Sequence, residues 1–141
     1  MPDETSPTPS YLFTHIPLEE RSMAKILIVD DSPADIRFMT EVLRGMGHTV
    51  ASTSDPANTE QMIASESPEL VLLDVVMPER NGYEVLRGIK REFPAPSFKV
   101  IFVSSKGSET DIKWGLRQGA ADYIIKPYTP ADVQGVLSRH L

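Results

Sequence analysis

The stretch KILIVDDSP, residues 25–33, decides how the chain reads. Ile26 to Val29 are four consecutive apolar residues, three of them β-branched. Such a run suits a strand buried on both faces. Asp30 and Asp31 follow at once, adjacent and like-charged. Ser32-Pro33 then reads as the cap and first turn of a helix. A buried strand ending in two carboxylates concentrates negative charge where something positive must offset it.

Outward from this stretch the pattern repeats. Residues 33–46 carry Ile36, Met39, Leu43 and Met46 on one face at the 3.6-residue period. HTVAS (48–52) reads as a second strand and DPANTEQMIASE (55–66) as one helix. ELVLL (69–73) is a third strand, again apolar up to an aspartate. GYEVLRGIKREF (82–93) aligns Leu86, Ile89 and Phe93. FKVIFVS (98–104), SETDIKWGLRQG (108–119), ADYIIK (121–126) and PADVQGVLSRH (130–140) complete the alternation. Capping residues stand three before an acid at Ser32/Asp35, Asn81/Glu84, Ser108/Asp111 and Thr129/Asp132. Five β-then-α units with near-continuous apolar strands predict a parallel sheet covered on both faces, a flavodoxin-like doubly wound (βα)5 sandwich of strand order 2-1-3-4-5.

The bulk numbers narrow the function. The chain has 141 residues, no cysteine and a net charge of −6. That length suits one domain with a substantial core. Disulfides and thiolate metal sites are excluded. The acidic balance argues against a nucleic-acid or anionic-membrane surface. No apolar run is long enough to span a bilayer, and no signal peptide opens the chain, so a cytoplasmic protein is expected. Residues 1–22 hold four prolines without periodicity. They read as a flexible tail with an apolar patch at Tyr11, Leu12, Phe13 and Ile16, preceding a domain over 23–141.

Parallel sheets bind ligands beyond the carboxyl ends of their strands. At those ends the sequence places Asp30-Asp31, Asp74, Ser104-Ser105 and Lys126-Pro127. Taken singly, each has an ordinary reading: a turn, a loop acid, a strand end, a solvated lysine. Their joint placement at one end of alternating strands points to a site. Carboxylates without thiols suit a hard cation, and Mg²⁺ fits a small open site of carboxylates and water. Lys126 and a hydroxyl add the groups that clamp a phosphoryl, with one aspartate as nucleophile.

These residues are also recognisable. ILIVDDS, LVLLDVVMPERNGYEVLRGIK, VIFVSSKG and GAADYIIKPY resemble the receiver domain of two-component response regulators over about Lys25 to Leu141. With no output domain following, the chain resembles a stand-alone chemotaxis-type receiver, similar to those of twitching-motility systems. The resemblance implies that Asp74 is the phospho-acceptor. It implies Mg²⁺ on Asp31, Asp74 and the Val76 carbonyl, with Asp30 acting through metal-bound water. It pairs Lys126 with the phosphoryl group and makes Pro127 a cis proline. Ser104 becomes the switch hydroxyl, Tyr123 the switch aromatic and Gly82 the glycine of the turn after the acceptor. Val76 and Lys106 stand where the family tunes phosphoryl lifetime. The implied partners are a sensor histidine kinase or phosphotransfer protein and an effector, or a second copy of the chain, on the face of helix four, strand five and helix five, near Ile112, Leu116, Val133 and Val136.

Two other readings stay open at this stage. A degenerate receiver would bind partners without phosphorylation, but it would have lost an acid or the lysine, and none is missing. A hydrolase of phosphorylated small molecules would want a general acid two residues past its nucleophile, where this chain has Val76. His15, His48 and His140 all fall outside the expected site. Trp114 lies off the expected Ile112–Leu116 face, as a packing residue or a partner anchor. Gly88, Gly115 and Gly135 interrupt helices at a cost in propensity and suggest close contacts.

Overall fold

A computed structural model describes residues 23–141. The expected tail and its apolar patch lie outside the described residues. Five strands alternate with five helices: β1 Lys25–Val29, α1 Pro33–Gly45, β2 Thr49–Thr53, α2 Thr59–Glu66, β3 Leu70–Asp74, α3 Gly82–Glu92, β4 Lys99–Ser104, α4 Glu109–Arg117, β5 Asp122–Ile125 and α5 Pro130–Ser138. The sheet is parallel throughout and ordered β2-β1-β3-β4-β5, as the sequence predicts.

Strand alternation divides the core in two. Ile26, Ile28, Leu70, Leu72, Ile101, Val103 and Ile124 face α1 and α5, where Met39, Leu43, Val133 and Leu137 meet them. Leu27, Val29, Val71, Leu73, Val100, Phe102 and Tyr123 face the other way, against residues of α2 and α3 such as Ile63, Val85, Leu86 and Ile89. Each fully buried leucine contributes about 1.5–3 kcal/mol. Because both faces are covered, polarity is confined largely to strand ends.

Helix entry follows the capping residues. Asn81, Ser108 and Thr129 form reciprocal capping boxes with Glu84, Asp111 and Asp132. Ser32 caps α1 by accepting from the Asp35 amide.

Some expectations are corrected and others gain detail. The single helix expected over 55–66 is two elements. Asp55 caps a 3-10 turn, Pro56–Asn58, and α2 begins only at Thr59. The helix α3 ends at Glu92 and Phe93 is its C-cap, yet Phe93 still packs against the same core as Leu86 and Ile89, as expected. On α4, Leu116 is 42% exposed and the buried residue is Gly115. A Cβ at Gly115 would sit 3.0–3.2 Å from the Phe102 and Tyr123 rings, so the helix approaches the sheet closely through its glycine. Trp114 is 49% exposed. Val133 and Val136 are core residues and present no outer surface on α5. Gly135 has open space around it, so no close contact explains it.

Candidate phosphoryl-acceptor site

The strand order reverses between β1 and β3, which opens a crevice at their carboxyl ends. Val29 pairs with Leu73, so Asp30 and Asp74 occupy the next level of the sheet side by side. Asp30 and Asp74 are buried, whereas Asp31 is exposed. Carboxylate oxygens of all three lie within 4.8 Å of one another. Three hard oxygen donors at this spacing, one open to water, suit a divalent cation such as Mg²⁺.

Lys126 supplies the positive charge from the end of β5. Its Nζ donates to Asp30 Oδ2 at 2.8 Å and to Asp35 Oδ2 at 2.7 Å, and lies 3.8 Å from Asp74 Oδ2. Burial alone would lower the ammonium's pKa, but the bonds to Asp30 and Asp35 outweigh it and hold it above its ordinary value. Asp30 is further fixed because its Oδ1 accepts from the Ser32 amide at 2.9 Å. Asp74 behaves differently. Burial, then the Asp30 charge, pushes its carboxyl up to about 6, against the pull of Lys126 and the Val76 amide.

Asp35 is the residue that sequence reasoning misses here. It is expected as a capping acid of α1, yet its side chain turns to Lys126 instead of returning to the Ser32 amide. Its place in the first helical turn, four residues beyond Asp31, was the available signal.

The loop after Asp74 is built tightly. Gly82 donates to the Val75 carbonyl at 2.8 Å. A Cβ there would fall 2.4 Å from the Asp74 carbonyl oxygen, so only glycine fits. Val76 is 51% exposed, and its side chain offers no proton donor to the site. The Lys126-Pro127 peptide is cis.

Beyond β4, Ser104 is fully buried and its Oγ accepts from the Lys106 amide at 3.2 Å. Tyr123 is buried, and its hydroxyl donates to the Lys106 carbonyl at 2.6 Å. The ring packs edge-on to Phe102 at 6.1 Å between centroids. His48 accepts from the Ala24 amide and His140 contacts Asp122, both away from the acidic cluster.

Comparison with known proteins agrees with this geometry. The family model described as "Response regulator receiver domain" matches residues 26–138. Protein PilH of Pseudomonas aeruginosa is 41% identical over 105 residues, covering 74% of this chain and 87% of PilH. A probable cyclic di-GMP phosphodiesterase of Vibrio cholerae is 38% identical over 90% of this chain, which spans only 29% of that larger protein. The BeF3-activated receiver domain of Klebsiella pneumoniae RstA superposes with a TM-score of 0.75 at 28% identity, covering 82% of this chain and 97% of that one. With its (βα)5 fold and its acidic pocket of Asp30, Asp31 and Asp74, the chain belongs to the response regulator receiver family.

Proposed function

We propose that Asp74 is the acceptor of a phosphoryl group from a phosphohistidine of a sensor kinase or phosphotransfer protein. The observation that carries this is the buried Asp74 carboxylate, facing Lys126 at 3.8 Å with Asp30 and Asp31 beside it. An Asp74 carboxylate oxygen attacks phosphorus. The P–N bond breaks, its electron pair stays on the imidazole nitrogen, and an acyl phosphate forms. Lys126, held by Asp30 and Asp35, stands ready to pair with a phosphoryl oxygen. Asp31, Asp74 and the Val76 carbonyl would hold a Mg²⁺ ion, with Asp30 beside them, and the bound cation would neutralise charge on the phosphoryl oxygens. The exposed, apolar Val76 side chain disfavours a hydrolase of external substrates. The chain then acts by receiving and losing a phosphoryl group, not by turning over a metabolite.

The output follows from the same site. Ser104 turns its hydroxyl to the phosphoryl group, and Tyr123 reports the change to the face of α4, β5 and α5. Exposed Trp114, Leu116 and Ile125 (49%, 42% and 41%) give that face an apolar component, and β5 is an edge strand. An effector protein or a second copy of the chain is the expected partner there, in the cytoplasm. Among the described residues no helix is long and apolar enough to cross a membrane.

Intact mass after treatment with acetyl phosphate and Mg²⁺ tests the acceptor. One hydroxylamine-labile phosphoryl adduct is expected in the wild type and none in Asp74→Asn. Equal adducts in both proteins remove Asp74 from the role. For the output, effector binding with and without beryllofluoride should show a gain that Ser104→Ala loses.

A further inference from the structure

The loop between Asp74 and α3 is held by an ion pair that the phosphoryl chemistry above leaves unused. Arg80, six residues past Asp74, sends its guanidinium to Glu60 on α2. Nη1 donates to Oε1 at 2.7 Å and Nη2 to Oε2 at 2.5 Å. Nη1 also donates to the Pro56 carbonyl at 3.0 Å. One side chain thus ties the acceptor loop to α2 and to the 3-10 turn before it. Both partners are largely shielded, with side chains 26% and 20% exposed. Forked Arg–carboxylate geometry with a further acceptor separates this pair from ordinary surface ion pairs, which contribute little.

Gly88 explains how the pair is seated. It lies in the interior of α3, where glycine is a poor helix former. A Cβ at that position would come within 2.2 Å of Arg80 Nη2 and 2.3 Å of Glu60 Oε2. The missing side chain leaves a notch in which the two charged groups meet. Helix propensity is given up at this position, and what occupies the space is the pair. The loop that the pair restrains carries Val76 at one end and Gly82 at the other. Glu79, beside Arg80, has a left-handed φ of +67°, a conformation held only when its surroundings fix it.

We infer that the Glu60–Arg80 pair, seated over Gly88, is a positioning device that holds the loop after Asp74 in the shape needed for cation binding. The inference rests on the proposed acceptor site. Arg80 touches no reacting atom. It acts by restraining the backbone between Val76 and Gly82.

The test uses the full chain and four variants. Arg80→Met removes the fork and keeps the stem. Arg80→Lys keeps the charge but cannot make the fork. Gly88→Ala leaves the pair's chemistry intact and displaces it. Arg139→Met breaks the ion pair to Asp122, at the other end of the sheet, as a control. Two quantities are read by NMR: exchange of the Gly82 amide without metal, and Mg²⁺ affinity from the Asp31 and Asp74 amide shifts. Arg80→Met and Gly88→Ala should weaken Mg²⁺ by about 3- to 10-fold, below the roughly 10- to 100-fold typical of groups bonded directly to a metal ligand. Both should speed Gly82 exchange, and Arg80→Lys should fall between them and wild type. Arg139→Met should match wild type in both readouts. A purely structural role predicts that Gly88→Ala alters stability, through the displaced pair and alanine's better helix propensity, but leaves Mg²⁺ binding and Gly82 exchange alone. That result, or an Arg80→Met protein with a lower Tm but unchanged Gly82 exchange and Mg²⁺ affinity, overturns the inference. A wild type that binds no Mg²⁺ at millimolar concentration overturns the proposed site itself, and this inference with it.

Discussion

Lys126 is bonded more closely to Asp35, at 2.7 Å, than it is paired with Asp74, at 3.8 Å. The ammonium proposed to meet a phosphoryl group is therefore drawn partly toward α1. Asp35 adds a further negative charge to the surroundings of a site that must admit a phosphate dianion. Asp35→Asn removes that charge and releases Lys126 toward Asp74. Acyl phosphate should form several-fold faster at fixed acetyl phosphate and Mg²⁺, followed by intact mass. The Asp35 side chain is 45% exposed, so the loss in stability should stay below about 1 kcal/mol. Slower phosphorylation in a stably folded Asp35→Asn protein would show that Asp35 holds Lys126 in its working position instead.

Asp74 gives a stability signature with a definite sign. Burial, then Asp30, raises its carboxyl from 3.8 to about 6 in the folded protein. The folded state thus holds the proton more tightly than the unfolded chain does. Stability declines as pH rises from about 4 to about 6, and the penalty is constant above that window. A shift of roughly two units corresponds to about 3 kcal/mol at most. Asp74→Asn should therefore stabilise the metal-free protein by up to about 3 kcal/mol at pH 7.5. At pH 4 the gain should shrink to under about 1 kcal/mol. Urea unfolding at the two pH values measures this. An equal gain at both would mean that ionisation of Asp74 is not its source.

The fold was legible because both faces of the sheet are buried. Strands then read as unbroken apolar runs, and the polar residues that end them mark the site. Asp30, Asp31, Asp74, Ser104 and Lys126 stand out for that reason. What was not legible depends on partners distant in sequence. Asp35 looks like a helix-capping acid because Lys126 lies 91 residues away. The Arg80–Glu60 pair and the notch at Gly88 likewise join separate segments, with no local pattern to announce them. On α4 the approach of Gly115 to the Phe102 and Tyr123 rings, which leaves Leu116 outside, likewise depends on residues of separate strands.

Gly82 makes a steric prediction. The space beside it is filled by backbone, with the Asp74 carbonyl oxygen 2.4 Å and the Val75 Cα 2.8 Å from an added Cβ. Backbone cannot swing aside as a side-chain terminus can. Gly82→Ala should cost about 1–3 kcal/mol by overpacking. It should also displace the Asp74 carbonyl and weaken Mg²⁺ binding. Urea denaturation and a Mg²⁺ titration followed by NMR check the two effects. A variant as stable as wild type would mean that the β3–α3 junction relaxes more freely than its hydrogen bond from Gly82 to Val75 suggests.

Tyr123 reaches the β4–α4 loop through its hydroxyl. The O–H donates to the Lys106 carbonyl, and the Lys106 amide donates to Ser104 Oγ, so one loop residue links the expected switch hydroxyl to the expected switch aromatic. Tyr123→Phe keeps the ring against Phe102 and removes the hydroxyl's bond to the Lys106 carbonyl together with its contact to the Ser104 side chain. Its cost should be about 1 kcal/mol, the net value of one hydrogen bond. The larger effect should be local. Residues 105–107 lose their tie to β5, so the Lys106 and Gly107 amides should exchange faster while core amides of β4 are unchanged. If this linkage carries the signal, Tyr123→Phe should still form acyl phosphate at Asp74 at a near wild-type rate, yet lose part of the beryllofluoride-dependent gain in effector affinity. Couplings of this kind are about 1–3 kcal/mol, so the loss is bounded at roughly 5- to 150-fold. Faster loop exchange with the full affinity gain retained would place the signal's route elsewhere, through the ring and not its hydroxyl.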